Sequence, residues 1–256
     1  MRELHKIYQK LQTTDNLNLL IGVNVLLFIV AQILITFKLF RLSWVALPEN
    51  IANFSTQWWK LLTYGFFHQG FIALFFNMLL LFYFGRILLD FSSQKKIIQL
   101  YFSGIITGGI FFLLSAYFFP HMYIVKNPIL GASAGVMAIM TYTALRLPHY
   151  MIKIRFLGYF KLIHLLIFFI AFNLLQIPLG NPGGYFAHLG GLTAGFLFFL
   201  EEKNSVQQKK SPYVIKSEKK QRKKERIDQI LDKISQSGYE SLTQAEKEEL
   251  FKQSQK

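Results

Sequence analysis

The stretch "ILGASAGVMAIM", residues 129–140, decides how the rest of the chain can be arranged. It places Ser133 between glycines, inside an apolar run of the kind that is buried in protein or in lipid. Burying a hydroxyl in hydrocarbon costs free energy unless the group is hydrogen-bonded. Gly131 and Gly135 are four residues apart, and small residues at that spacing let helix backbones approach closely. The stretch therefore predicts either a tightly packed helix or a polar functional site.

The composition indicates a membrane protein. Hydrophobic residues make up 52% of the 256 and charged residues only 16%, below the roughly 25% of soluble domains. The apolar residues fall into continuous blocks near the length of about 20 residues that a spanning helix needs. We therefore expect an all-α membrane protein rather than a barrel of alternating strands. The six predicted spans are 19–37, 66–89, 98–119, 129–147, 159–178 and 185–200.

The distribution of positive charge predicts the orientation. Lysine and arginine concentrate before the first span, after the second and fourth, and after the sixth, although loop 38–62 also carries three. The positive-inside rule then places both termini in the cytoplasm. The net charge of +14 thus reflects mostly the orientation of the chain in the membrane, and we expect no nucleic-acid partner. The chain has no cysteine, so a disulfide framework and a thiolate metal site are excluded.

The regions outside the six spans form three further segments. We interpret residues 1–18 as a cytoplasmic N-terminal segment and 201–226 as a basic linker. Residues 227–256 are predicted to form a small cytoplasmic helical hairpin, an appendage for docking or regulation. Gly238 is a plausible helix stop, and Thr243 with Glu246 has the spacing of a capping box.

Two polar residues in the predicted spans have surroundings that suggest chemistry. Ser133 lies in its small-residue strip, and His188 precedes Gly191 and Gly195 on nearly the same helix face. If the fourth and sixth helices pack through these strips, the hydroxyl and the imidazole can meet, as an activated serine nucleophile requires. A serine in such a strip is more often a packing residue than a catalytic one. We interpret Asn24 as a residue that bonds to a neighbouring helix, His164 as interfacial, and the pair Asn173 and Gln176 as structural contacts between helices.

Residues 58–85, "WWKLLTYGFFHQGFIALFFNMLLLFYFG", give this pattern a family context. Here the sequence resembles the rhomboid family of intramembrane serine proteases, which has a six-helix core. The resemblance covers residues 19–200 and rests on three separated motifs. They are Trp59, Leu62, Thr63, His68, Asn77 and Gly85; then Gly131, Ala132, Ser133 and Ala134; and last "AHLGGLTAG" from Ala187. The tail resembles an appendage of some bacterial rhomboid-like proteins.

The resemblance implies a role for each matched residue. Ser133 would be the nucleophile and His188 the general base, working as a dyad without an acidic third member. The Asn77 side chain and the Ser133 backbone N–H would stabilise the oxyanion, with His68 and Gly131 in supporting positions. It implies substrates that are transmembrane proteins, no metal and no cofactor, and a multi-pass location in the lipid bilayer of a bacterial inner membrane. The oligomeric state is left open.

Three positions depart from the family pattern and leave a second function open. Ala73 stands where a second histidine is common, Ala134 where glycine is frequent, and Met137 where an aromatic residue is frequent. The alternative is a non-catalytic rhomboid-like protein that binds membrane helices. Retention of both Ser133 and His188 favours the protease. A transporter is disfavoured because no carboxylate lies at the centre of a predicted span.

Overall fold

A computed structural model describes most of the chain and divides it into two compact units, Met1–Glu201 and Glu202–Lys256. The described residues are 15–50, 54, 56–123, 127–154, 158–175, 177–178, 180–208, 226–244, 246–247 and 250. The first unit contains helices and one small sheet. In order along the chain, the elements up to Gln208 are α1 Asn16–Thr36, α2 Lys60–Thr63, α3 Phe71–Leu89, α4 Gln94–Phe118, α5 Ser133–Arg146, β1 Met151–Ile154, β2 Gly158–Lys161, α6 Leu162–Leu174 and α7 Pro182–Gln208, with short 3-10 turns at Leu42–Trp44 and Pro120–Tyr123. The last residues of α7 lie beyond the boundary of the first unit at Glu201.

Four of the described helices are long and apolar enough to cross a membrane. These are α1, α3, α4 and the part of α7 from Pro182 to Asn204. The α5 and α6 helices have only 14 and 13 residues, short of the roughly 20 that a lipid-exposed span needs. Each predicted span contains a helix, but the prediction of six spanning helices is not confirmed.

The α5 helix is short because it is enclosed by protein. Every residue from Ala134 to Ala144 is buried, and α5 packs against α3, α4 and α6. A helix that contacts protein on all sides is not required to match the thickness of the hydrocarbon. The predicted span 129–147 therefore consists of a loop followed by this central helix.

The prediction of an all-α protein is wrong at one place, a two-stranded antiparallel hairpin. In β1 and β2, Ile152 pairs with Phe160 and Lys153 with Tyr159. The Lys153 ammonium lies 5.6 Å from the centre of the Tyr159 ring. In β1, Lys153 stands between Ile152 and Ile154, a pattern that favours a strand, but Tyr159 and Phe160 of β2 lie inside the predicted span 159–178. The helix in predicted span 159–178 begins only at Leu162.

Polar side chains join the helices of the first unit. Asp15 caps α1, accepting from the Asn18 N–H at 2.8 Å, and forms a 2.6 Å ion pair with Arg86 at the end of α3. Buried Asn24 of α1 donates to the Tyr101 hydroxyl of α4 at 3.0 Å. The expectation that Asn24 bonds to a neighbouring helix is confirmed.

The second unit contains the predicted helix stop and capping box. Residues 226–237 are helical, and Gly238 ends the helix with φ +79° and an N–H bond to the Ile234 carbonyl. The Thr243 N–H donates to Glu246 Oε2 at 2.7 Å, and the Glu246 N–H donates back to Thr243 Oγ1 at 3.4 Å. Both features are confirmed. The predicted linker 201–226 begins inside α7, and its residues 209–225 lie outside the described residues.

Candidate active site

Ser133 is the first residue of α5 and is half-buried. It follows the serine loop, which we define as residues 127–132. Three separate parts of the chain hold this loop. Ile129 pairs with Leu47 through bonds of 2.9 and 3.1 Å, the Gly131 N–H donates to the Tyr64 carbonyl at 2.9 Å, and the Ala132 N–H donates to His68 Nε2 at 3.3 Å.

Gly131 fixes the path of the serine loop beside α3. Its φ of +127° lies in the region that favours glycine. A Cβ at Gly131 would lie 3.9 Å from Asn77 Nδ2 and 4.0 Å from His68 Cδ2. Asn77 Nδ2 itself donates to the Ala73 carbonyl at 2.8 Å, which occupies one of its two N–H bonds. The structure thus brings three predicted site residues, His68, Asn77 and Gly131, to the loop that precedes Ser133.

The α5 and α7 helices pack through small residues in the way that the sequence predicts. A Cβ at Gly191 would overlap the Ala134 carbonyl, and one at Gly195 would overlap the Ala138 carbonyl. The two helices therefore run in the same direction with a constant register. His188 lies one turn before Gly191, and Ser133 lies directly before Ala134, so both are at the same end of the contact. Among the described residues, Ser133 Oγ has no hydrogen-bond partner, so no bond joins it to the imidazole in this structure.

The α4 helix also packs against the α5–α7 contact. The sequence analysis did not predict this third helix. A Cβ at Gly108 would lie 2.5 Å from the Ala134 side chain and 2.9 Å from the Ala187 carbonyl. The Thr107 hydroxyl donates to the Gly190 carbonyl at 2.9 Å. The signal was present in the sequence, because Gly104 and Gly108 have the same four-residue spacing as the glycines of α7.

The His188 imidazole has a polar neighbour that the sequence-based interpretation did not foresee. Its Nδ1 lies 2.7 Å from Oδ1 of Asn173 on α6. Asn173 is 3% exposed, and its Nδ2 donates to the Tyr185 carbonyl at 3.3 Å. The interpretation of Asn173 as packing in a pair with Gln176 overlooked this contact, and Gln176 lies outside the described residues. An amide in an otherwise apolar helix was the available signal.

The arrangement is suited to nucleophilic attack on a carbonyl. The first N–H groups of a helix lack intrahelical acceptors and carry a partial positive charge, which favours a developing anion near Ser133. The described residues include no group of three histidine, aspartate or glutamate side chains that could hold a metal ion. Ser133, His188 and Asn77 supply this region with a hydroxyl, an imidazole and neutral N–H donors.

Comparisons with known proteins indicate the family of the chain. Residues 55–200, more than half of the chain, match the family model described as Rhomboid domain. Residues 214–256 match a second model, DUF6576, which describes a family of unknown function. No curated protein matches the chain. The first match includes all five predicted site residues.

Proposed function

Because this chain belongs to the rhomboid family, we propose that it is an intramembrane serine endopeptidase that cleaves transmembrane proteins. The observation that carries the proposal is the α5–α7 contact. It places Ser133 and His188 at the same end of two helices whose backbones touch at Gly191 and Ala134. A side chain larger than hydrogen at Gly191 would force these two residues apart.

The proposed reaction begins with attack of Ser133 Oγ on the carbonyl carbon of the scissile peptide. His188 Nε2 takes the hydroxyl proton as the Oγ–C bond forms, and the carbonyl π electrons move to the oxygen. The C–N bond then breaks, and His188 returns the proton to the leaving amine. Water, deprotonated by the same imidazole, releases the acyl group and restores the serine.

The oxyanion would be stabilised by donors on both sides of the serine loop. The Ser133 N–H is at the start of α5, and Asn77 is near Gly131 with one N–H bond not used by Ala73. A single donor aimed at the developing charge typically contributes about 10²–10³ in rate. His68 supports this geometry by accepting from the Ala132 N–H, one residue before the nucleophile.

The four long apolar helices and the family membership fit an integral membrane protein. We propose further that both termini are cytoplasmic and that the membrane is the bacterial inner membrane. The positive-inside bias supports this orientation. Buried polarity around Ser133 is then tolerated because it lines a cavity that water can enter.

Ala73 favours a second candidate, a non-catalytic protein that binds membrane helices. An alanine cannot donate a hydrogen bond to an oxyanion, and Ser133 Oγ has no hydrogen-bond partner among the described residues. In that case the site would retain its fold without turnover. A chemical test separates the two functions.

The test is labelling of the purified protein with a fluorophosphonate, combined with cleavage of a single-span substrate in liposomes. We expect labelling at Ser133 and cleavage, both abolished by Ser133→Ala and by His188→Ala. The double variant should be no less active than either single variant, because the two residues act as one unit. Ser103→Ala, which removes another half-buried serine from a neighbouring helix, is the matched control and should leave both signals unchanged. Unlabelled Ser133 in folded protein would favour the binding function.

A further inference from the structure

Asn173 is a buried amide held between two groups of α7. Its Oδ1 lies 2.7 Å from His188 Nδ1, and its Nδ2 lies 3.3 Å from the Tyr185 carbonyl oxygen. The side chain comes from α6, where only Leu162, Leu166 and Asn173 are buried. A buried polar side chain in an apolar helix is costly unless its hydrogen bonds are made, and both ends of this amide make them.

The Tyr185 carbonyl determines which way the amide faces. A backbone carbonyl can only accept, so the amide must turn its NH₂ group toward Tyr185. Its oxygen then faces His188, and an amide oxygen can also only accept. The hydrogen between the two groups must therefore belong to the imidazole, on Nδ1. The other ring nitrogen, Nε2, consequently carries no hydrogen in the neutral ring and can accept a proton.

We propose that Asn173 is a positioning residue that holds His188 in the tautomer required of a general base, completing a Ser–His–Asn arrangement. This inference rests on the proposed protease function. With the proton fixed on Nδ1, the Nε2 lone pair is available to remove the Ser133 proton. When the imidazolium forms, the amide oxygen continues to accept from Nδ1, in a stronger charge-assisted bond.

A neutral amide suits this depth in the protein better than a carboxylate. Burying a carboxylate carries a desolvation cost of several kcal/mol, which its attraction to an imidazolium offsets only in favourable geometry. The amide fixes the tautomer and the ring orientation without that cost. This explains why the sequence shows no acidic residue as a third member beside Ser133 and His188.

The first test reads the tautomer directly and does not depend on proteolysis. The full-length protein is labelled with ¹⁵N-histidine, and the His188 signals are assigned among the six histidines by comparison with His188→Gln. We expect the wild-type imidazole to be protonated on Nδ1, and Asn173→Leu to move the proton toward Nε2. A wild-type imidazole protonated on Nε2 would overturn the proposal, even if no Asn173 variant folds.

The second test measures turnover. Asn173→Leu should lower kcat by at least about tenfold with little change in KM, as part of the 10²–10⁴ that general acid–base catalysis supplies. Asn173→Asp, which can still accept from Nδ1, should restore most of the lost kcat. Asn24→Leu is the matched control, since Asn24 is also a buried asparagine that bonds across helices. Equal losses of kcat per folded molecule in both leucine variants, or no loss in Asn173→Leu, would overturn the proposal.

The two tests also separate this inference from the proposed function. A wild-type protein that cleaves nothing, but carries the His188 proton on Nδ1 and shifts it in Asn173→Leu, would contradict the protease and support the positioning role. An active protease whose tautomer is unaffected by Asn173→Leu would support the protease and contradict the positioning role.

Discussion

The two helices that flank the candidate site, α5 and α6, differ in how they hold a functional side chain. All residues from Ala134 to Ala144 in α5 are buried, and its first turn touches glycines of both α4 and α7. Only three residues of α6 are buried, and Asn173 supplies its hydrogen bond to His188. Ser133 is thus placed by close backbone packing, whereas the His188 imidazole is oriented by a single amide. The packing tolerates almost no change in volume, and the amide tolerates no loss of its hydrogen-bond acceptor.

The largest effect is expected from a larger side chain at Gly191, where α7 touches α5. In Gly191→Leu the new side chain would meet the Ala134 backbone, which cannot rotate away as a flexible side chain could. We expect activity to fall below detection and stability to decrease by about 3 kcal/mol or more, the upper range for overpacking. Thermal melting in detergent and substrate cleavage measure the two effects. Gly22→Leu is the control, because a Cβ at Gly22 has no atom within 4 Å, and it should behave as wild type.

A smaller effect is expected at Asn77, which approaches the serine loop from α3. Asn77→Ala should lower kcat by about 10²-fold, the cost of one oxyanion donor, and leave the melting temperature nearly unchanged. Ala73→His should raise kcat, since it adds a second donor one helical turn away. If Asn77→Ala lowered the melting temperature without changing kcat per titrated active site, the role of Asn77 would be to stabilise the packing of α3 and not the oxyanion.

The opposite end of the α5–α7 contact offers a third variant. There Lys96 of α4 lies 5.3 Å from the ring centre of Tyr142 on α5 and 5.1 Å from that of Phe198 on α7. Lys96→Met keeps most of the side-chain volume and removes the cation. We expect a loss of about 1 kcal/mol in stability, typical of cation–π contacts, and unchanged kcat. A clear change in kcat would mean that this end of the contact also controls the site.

The smallest effect is expected in the second unit, where the hydrogen bond between Thr243 and Glu246 is exposed. Bonds from Lys233 and from Thr243 lower the pKa of Glu246 to about 2. A lowered pKa in the folded state means that the carboxylate stabilises this turn above about pH 4.5. That contribution is lost as the pH falls toward 2.

Glu246→Gln should therefore abolish the pH dependence of the protection factor for amide hydrogen exchange at Thr243, with no change in proteolysis. Glu240→Gln is the control, since Glu240 bonds to Lys247 and is almost fully exposed. Its exchange at Thr243 should keep the wild-type pH profile. A wild-type profile in Glu246→Gln would show that the capping carboxylate does not stabilise the turn.

The fold was predictable from the sequence where a pattern involves a single helix or a single turn. Apolar runs located the helices, and the spacing of Thr243 and Glu246 located a cap, because each signal is local. The lengths of α5 and α6 were overestimated, since apolar composition does not distinguish burial in protein from burial in lipid. The β1–β2 hairpin was missed because its apolar residues were continuous with those of α6.

The candidate site was predictable where two helix backbones approach closely, because such a contact requires small residues in the sequence. The glycines of α7 indicated a contact with the serine helix, because only small residues permit it. The amide of Asn173 in an apolar helix indicated a polar contact, but its partner His188 could not be predicted. An asparagine on one helix can meet many partners on another. The Leu47 pairing with Ile129 was also unforeseen, because an isolated pair between two loops has no periodicity.

The α5–α7 contact also imposes an order on the biogenesis of the protein. Ser133 leaves the ribosome well before His188, and at 5–20 residues per second the interval is on the order of several seconds. During that time the Ala134 and Ala138 carbonyls have no glycine helix against them, and Ser133 has no imidazole beside it. With the function that we propose, the nascent chain would therefore stay inactive until α7 has been synthesised and packed against α5.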